Sequence, residues 1–142
     1  MKRRGSLLRL KRFRVDELKR RLATLDEMKL DLEKKLSDLE DSVVRERQRA
    51  NDSDIGRLAF PSFLQSIEVR RKNIRNTMTN LERERAAQQE DLASAFQDLK
   101  SFELAEEERL RRAAEAEARA SQSRLDEIAM VRHLRKHSAR QA

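Results

Sequence analysis

Apolar residues return along this chain at alternating steps of three and four. Taken from Leu8, one series reads Leu8, Val15, Leu22, Lys29, Leu36, Val43. The companion series reads Lys11, Leu18, Leu25, Leu32, Leu39, Glu46. Nine of these twelve positions are apolar, and a heptad sustained over six repeats marks a helix packed along one seam. The segment ANDSDIGRLA (50–59) breaks the pattern with Asn, Asp, Ser and Gly, residues that favour turns. Pro61 then suits the first turn of a new helix, where its missing N–H costs nothing. Beyond it the pattern resumes as Phe60, Ile67, Ile74, Leu81, Gln88, Ala95, Phe102 and as Leu64, Arg71, Met78, Arg85, Leu92, Leu99.

The two frames fit one another if the chain doubles back near residue 55. Antiparallel partners then have residue numbers adding to about 110, and every a position of the first helix meets a d position of the second. Leu18 faces Leu92, Leu32 faces Met78, Leu36 faces Ile74 and Val43 faces Ile67. The expected fold is therefore all-α: a two-helix antiparallel coiled-coil hairpin with a longer second helix. Helix one is expected over about 6–48, the loop over about 49–60 and helix two over about 61–137, all in a single hairpin of residues 1–142. Half of the layers carry one polar residue (Lys11, Gln88, Arg85, Lys29, Arg71 or Glu46). Long Lys and Arg stems can cover apolar neighbours while their heads reach water, and polar core positions can set register at a cost in stability.

The helices are unequal. Beyond about residue 103 the pairing partner runs out, and the remaining 35 or so residues of helix two would overhang by roughly 50 Å. The middle of that stretch, RRAAEAEARA (111–120), is a strong local helix former with almost no large apolar group. Apolar side chains return at Leu125, Ile128, Val131 and Leu134, and an isolated helix gives no reason for them, so they read as a contact surface.

Charge sharpens the picture. The net charge is +7, and of the 33 Lys and Arg, seven lie in residues 1–14 and four in 128–142, with no acid in either segment. The remaining 22 face 26 acids. A hairpin would bring both cationic ends to one side and leave a near-neutral body, an arrangement suited to an acidic partner. Leu10 and Phe13 sit at outward heptad positions among Arg9, Lys11, Arg12 and Arg14. Cations at a helix N-terminus oppose its dipole, so local stability does not explain them. At the other end Arg132, Arg135 and Lys136 accompany Ile128, Val131 and Leu134. Phe60 can cap the seam near the loop, and Phe63 beside it is the better candidate for an exposed contact.

Composition excludes several classes. With 42% charged residues, two Gly and one Pro, the profile is that of long helices rather than a globule; the matching heptad frames decide against disorder. There is no Cys, which removes disulfides, thiolate nucleophiles and Cys-based zinc sites. No apolar run approaches the length of a membrane span. The opening MKRRGSLLRLKRFR lacks the apolar core of a signal peptide; a mitochondrial presequence would share its Arg-rich, acid-free character, but here the heptads begin at Leu8. His133 and His137 would share a helix face, yet two ligands beside Arg135 and Lys136 make a poor zinc site. Asn51-Asp52-Ser53 matches a glycosylation sequon, with nothing else pointing to secretion. Phosphate loops, nucleophile elbows and dinucleotide fingerprints are missing, so no enzyme activity and no cofactor are expected.

The opening LLRLKRFRVDELKR, the segment AFPSF and the late LDEIAMVRH resemble the flagellar export protein FliJ family, especially its alphaproteobacterial members. The resemblance implies a non-enzymatic part of the flagellar type III export apparatus. Such proteins look like the central shaft of a rotary ATPase: they sit in the export ATPase hexamer, promote its assembly and contact the membrane export gate, with export chaperones as further partners. It also implies a cytoplasmic protein peripheral to the inner membrane at the flagellar base. On that reading the ring contacts are Arg9, Leu10, Lys11, Arg12, Phe13, Arg14, Ile128, Val131, Arg132, Leu134, Arg135 and Lys136. Two alternatives stand beside it. One is a basic-armed nucleic-acid-binding rod, which the lack of Tyr, Trp and any reading module disfavours. The other is a structural coiled coil that homodimerises.

Overall fold

A computed structural model describes residues 2–141, with the side chain of Lys2 left aside. Two helices account for nearly all of them: α1, Lys2–Asp52, and α2, Asp54–Gln141. The chain separates into two compact units, residues 1–97 and residues 98–142.

In the first unit α1 packs antiparallel against the opening half of α2, as the heptads require. Val15, Leu18, Leu25, Val43, Ile67 and Leu81 are buried, Leu18 and Ile67 to 1% exposure. The remaining apolar seam positions of this unit are half-buried, and of all its seam positions Lys29 alone is exposed. Two ion pairs cross the seam: Arg71 with Glu40 at 2.7 Å and Arg85 with Asp26 at 2.7 Å. Both pairs lie within one residue of the register set by the heptads. The heads of Arg71 and Arg85 thus do not simply reach water, as expected, because acids flanking the seam on α1 meet them. Arg71 also bonds Glu68 one turn earlier, at 3.1 Å. Its Nε and the Oε1 of Gln88 are buried without a hydrogen-bond partner, a cost that an apolar pair in the same layers would avoid.

The connection differs most from expectation. Instead of a loop over residues 49–60, only Ser53 stands between the helices. Its Oγ accepts the Gly56 N–H at 2.9 Å, the capping bond that satisfies a free donor at a helix start. Its carbonyl accepts the Arg57 N–H at 3.2 Å. Arg57 Nε in turn donates to the carbonyl of Ala50 at 3.3 Å, serving one of the last α1 carbonyls that a helix leaves unpaired. The ends approach so closely that a Cβ on Gly56 would lie 2.8 Å from the Arg49 carbonyl oxygen. No described residue has a positive φ, so Gly56 supplies space rather than a left-handed turn. The turn-forming composition of this stretch was real, but the cap compresses the turn to one residue. Pro61 therefore falls at the eighth residue of α2, not in its first turn. There it forgoes the N–H that would have bonded the Arg57 carbonyl.

In the second unit Leu99 is buried, and Phe102, Glu103, Glu106, Glu108 and Arg109 are half-buried. From Leu110 to Gln141 every residue is exposed, yet the helix continues unbroken.

Candidate partner-binding surfaces

Three surfaces carry the residues singled out by sequence. At the start of α1, Leu10 and Phe13 are exposed. With Arg3, Ser6 and Leu7, Leu10 lines a shallow, largely apolar groove. Arg9, Arg12 and Arg14 are exposed beside it and Lys11 is half-buried. Arg14 leans on Glu17 at 3.6 Å, while the Arg20 guanidinium stands 6.0 Å from the Phe13 ring centre, within cation–π range. No acid occupies the first turn of α1. Leu7, exposed on the same groove, belongs with this set; its place at the seam-flanking position next to Leu8 was the available signal.

At the end of α2, Ile128, Val131 and Leu134 are exposed along with Leu125 and Met130. They do not form one straight stripe. Steps of three residues fall short of the 3.6-residue turn, so each is rotated by about 60° from the last and Leu134 lies roughly half a turn round from Leu125. One groove gathers Leu125, Ile128, Ala129, Arg132, His133 and Lys136, whereas Val131 and Leu134 face elsewhere. Arg135 is exposed. The His133 and His137 rings stack with centres 6.4 Å apart and planes 17° from parallel, and His137 Nε2 meets Gln141 Nε2 at 3.3 Å. No group of three or more metal-ligating side chains exists among the described residues.

Near the elbow, Phe60 and Phe63 stack at 6.5 Å with planes 24° apart. Arg47 reaches across from α1 to within 5.9 Å of the Phe60 ring. Both rings are half-buried, so Phe63 is less available than its heptad position indicated. The apolar groups most open here are Ile55 and Leu58, each 82% exposed. Sequence reasoning passed over them because they fell inside the presumed loop; once Ser53 caps α2, they stand one turn apart on its first face.

Two seam arginines are perturbed. Arg71 is held above its ordinary pKa by hydrogen bonding to Glu68, against the opposing effect of burial and with help from Glu40. Arg85 is raised chiefly by its hydrogen bond to Asp26. Both groups are structural in position. Among the described residues no helix is long and apolar enough to cross a membrane.

The family model described as "Flagellar FliJ protein" matches residues 1–138. The chain belongs to the FliJ family. FliJ membership supports a role related to flagellar protein export, the family being an export component rather than an enzyme. The match spans both helices and the elbow, so all three surfaces lie within the FliJ region. No curated protein and no solved structure matches the chain.

Proposed function

We propose that this protein is the stalk of the flagellar export ATPase: inserted in the hexamer, it promotes ring assembly and links the ring to the membrane export gate. The observation that carries this reading is the exposure of large apolar side chains among cations at both ends of the chain. Exposed apolar residues scattered singly need no explanation. Leu7, Leu10 and Phe13 at one end, and Ile128, Val131 and Leu134 at the other, instead fall within the acid-free basic segments 1–14 and 128–142. Cations steer the encounter with an acidic ring and apolar groups supply the contact once water is displaced. Arg9, Leu10, Lys11, Arg12, Phe13 and Arg14 form one ring contact; Ile128, Val131, Arg132, Leu134, Arg135 and Lys136 form the other. Phe60 and Phe63 near the elbow serve another partner, such as the export gate or an export chaperone. The working place is the cytoplasmic side of the inner membrane at the flagellar base.

The test is to incubate the full chain with the export ATPase of the same cell and follow hexamer formation and ATP turnover. Both should rise with the native chain. The double variant L10D/F13D should lose the effect while keeping its helicity by circular dichroism, because neither side chain belongs to the seam. An unchanged effect would place the ring contact elsewhere. Steep, salt-sensitive retention on random DNA, with no action on the ATPase, would favour the nucleic-acid reading.

A further inference from the structure

The stretch of α2 between Glu106 and Asp126 poses a physical problem of its own. Short isolated helices are marginal in water, and most helices in proteins persist because an apolar face is buried. From Leu110 onward nothing here is buried. We propose that this stretch is a self-supporting helix, held by ion pairs between its own side chains, and that it acts as a spacer of fixed length carrying the grooved basic surface at the end of α2. The inference rests on the geometry of the second unit and not on the export reading.

The ties run almost end to end. Arg109 bonds Glu106 at 3.1 Å, and Arg111 and Arg112 share Glu108 at 2.5 and 3.0 Å. Arg119 reaches Glu115 at 3.8 Å, Arg124 reaches Glu117 two turns back at 3.1 Å, and Gln122 Nε2 donates to Asp126 Oδ1 at 3.0 Å. In every ion pair the acid is N-terminal to the base, the order that best supports a helix. The turn these ties skip is filled by Ala113 and Ala114, the strongest intrinsic helix formers. Residues 104–127 contain no Gly, no Pro and no β-branched residue. At 1.5 Å per residue the tied stretch sets a span of about 30 Å.

One rival source of stability is visible in the sequence. The seam frame of the hairpin, carried onward, places Ala113, Ala116, Ala120 and Ser123 on one face, where a second copy of the chain could pack closely. The experiment separates the two on the full-length chain, by amide hydrogen exchange over seconds. In the variant E108Q/E115Q/E117Q, exchange of amides 110–124 should accelerate about three- to tenfold. About 1 M salt, which screens exposed charges within a few ångströms, should accelerate the same amides in the native chain. The swap E115R/R119E keeps composition but reverses the favoured order, and should also accelerate them. In these variants hairpin amides from Val15 to Val43 serve as the internal control and should stay unchanged, which guards against a general folding defect. Exchange that ignores both charge removal and salt would overturn the proposal, as would protection that rises with protein concentration, since a second copy would then be the support.

Discussion

The hairpin of residues 1–97 and the helix of residues 110–141 share a secondary structure and almost nothing else. In the hairpin, α1 and α2 bury Leu18 and Ile67 almost completely, and two ion pairs cross between them to fix register. In the later stretch no side chain is buried, and the ion pairs run along one helix. Helix content alone therefore says little about what holds a helix. In the first region helicity follows from packing, and a defect at one layer weakens the whole. In the second it follows from local composition, and a defect stays local.

The largest expected effect comes from attacking the packing. Leu18→Ala or Ile67→Ala should cost about 2–5 kcal/mol, the range for emptying a buried aliphatic site. Thermal unfolding by circular dichroism should show the hairpin transition falling while amide exchange in 110–124 stays at its native rate. If both regions weakened together, they would share one source of stability and the contrast would fail.

A smaller effect probes the elbow, where Gly56 should behave oppositely to Gly5 near the start of α1. Gly56→Ala drives a methyl group to 2.8 Å from a backbone oxygen, so the helix ends must shift, at about 1–3 kcal/mol. Gly5→Ala meets nothing within 4 Å and should stabilise α1 by about 0.5–1 kcal/mol through its better helix propensity. Denaturant midpoints of the two variants would show the opposite signs. Equal effects would mean that Gly56 is not held by space.

The smallest effect concerns pH. Arg71 and Arg85 have pKa values raised above the ordinary arginine value by hydrogen bonds to their acids. A group raised on folding contributes stability that is fully present below its unfolded pKa and is lost only as pH rises through the folded value. The difference in melting temperature between the native chain and R71Q/R85Q should therefore hold constant from about pH 7 to about pH 10. A gap that closed within that window would show that the guanidinium charges are not what the seam uses.

Much of the hairpin was legible because period and register are written in the same residues. Leu18, Leu25, Leu81 and Val43 announce a buried face by spacing alone, and two independent frames agreed on one bend. The elbow was less legible, because Asn51, Asp52, Ser53 and Gly56 all favour turns and composition does not say which one caps. Only the bond from Gly56 to Ser53 reduces the turn to a single residue and draws Ile55, Leu58 and Pro61 into α2. The fates of Arg71 and Arg85 depended on Glu40 and Asp26 across the seam, far away in sequence, so local pattern could not reveal them. At the surfaces, Leu10 and Phe13 stand out as their positions foretold. The Leu125-to-Leu134 series winds round the helix because three is not 3.6.

The one-residue elbow has a consequence for how such a chain can change length. Adding a residue beside Ser53 would rotate everything after it by about 100° and turn the interlocking face of α2 away from α1. Lengthening the stretch between Arg112 and Glu115 by whole turns would leave that interlock intact and change only the length of the second unit. Evolution can thus resize this molecule in its solvent-exposed helix, while its corner is locked in phase.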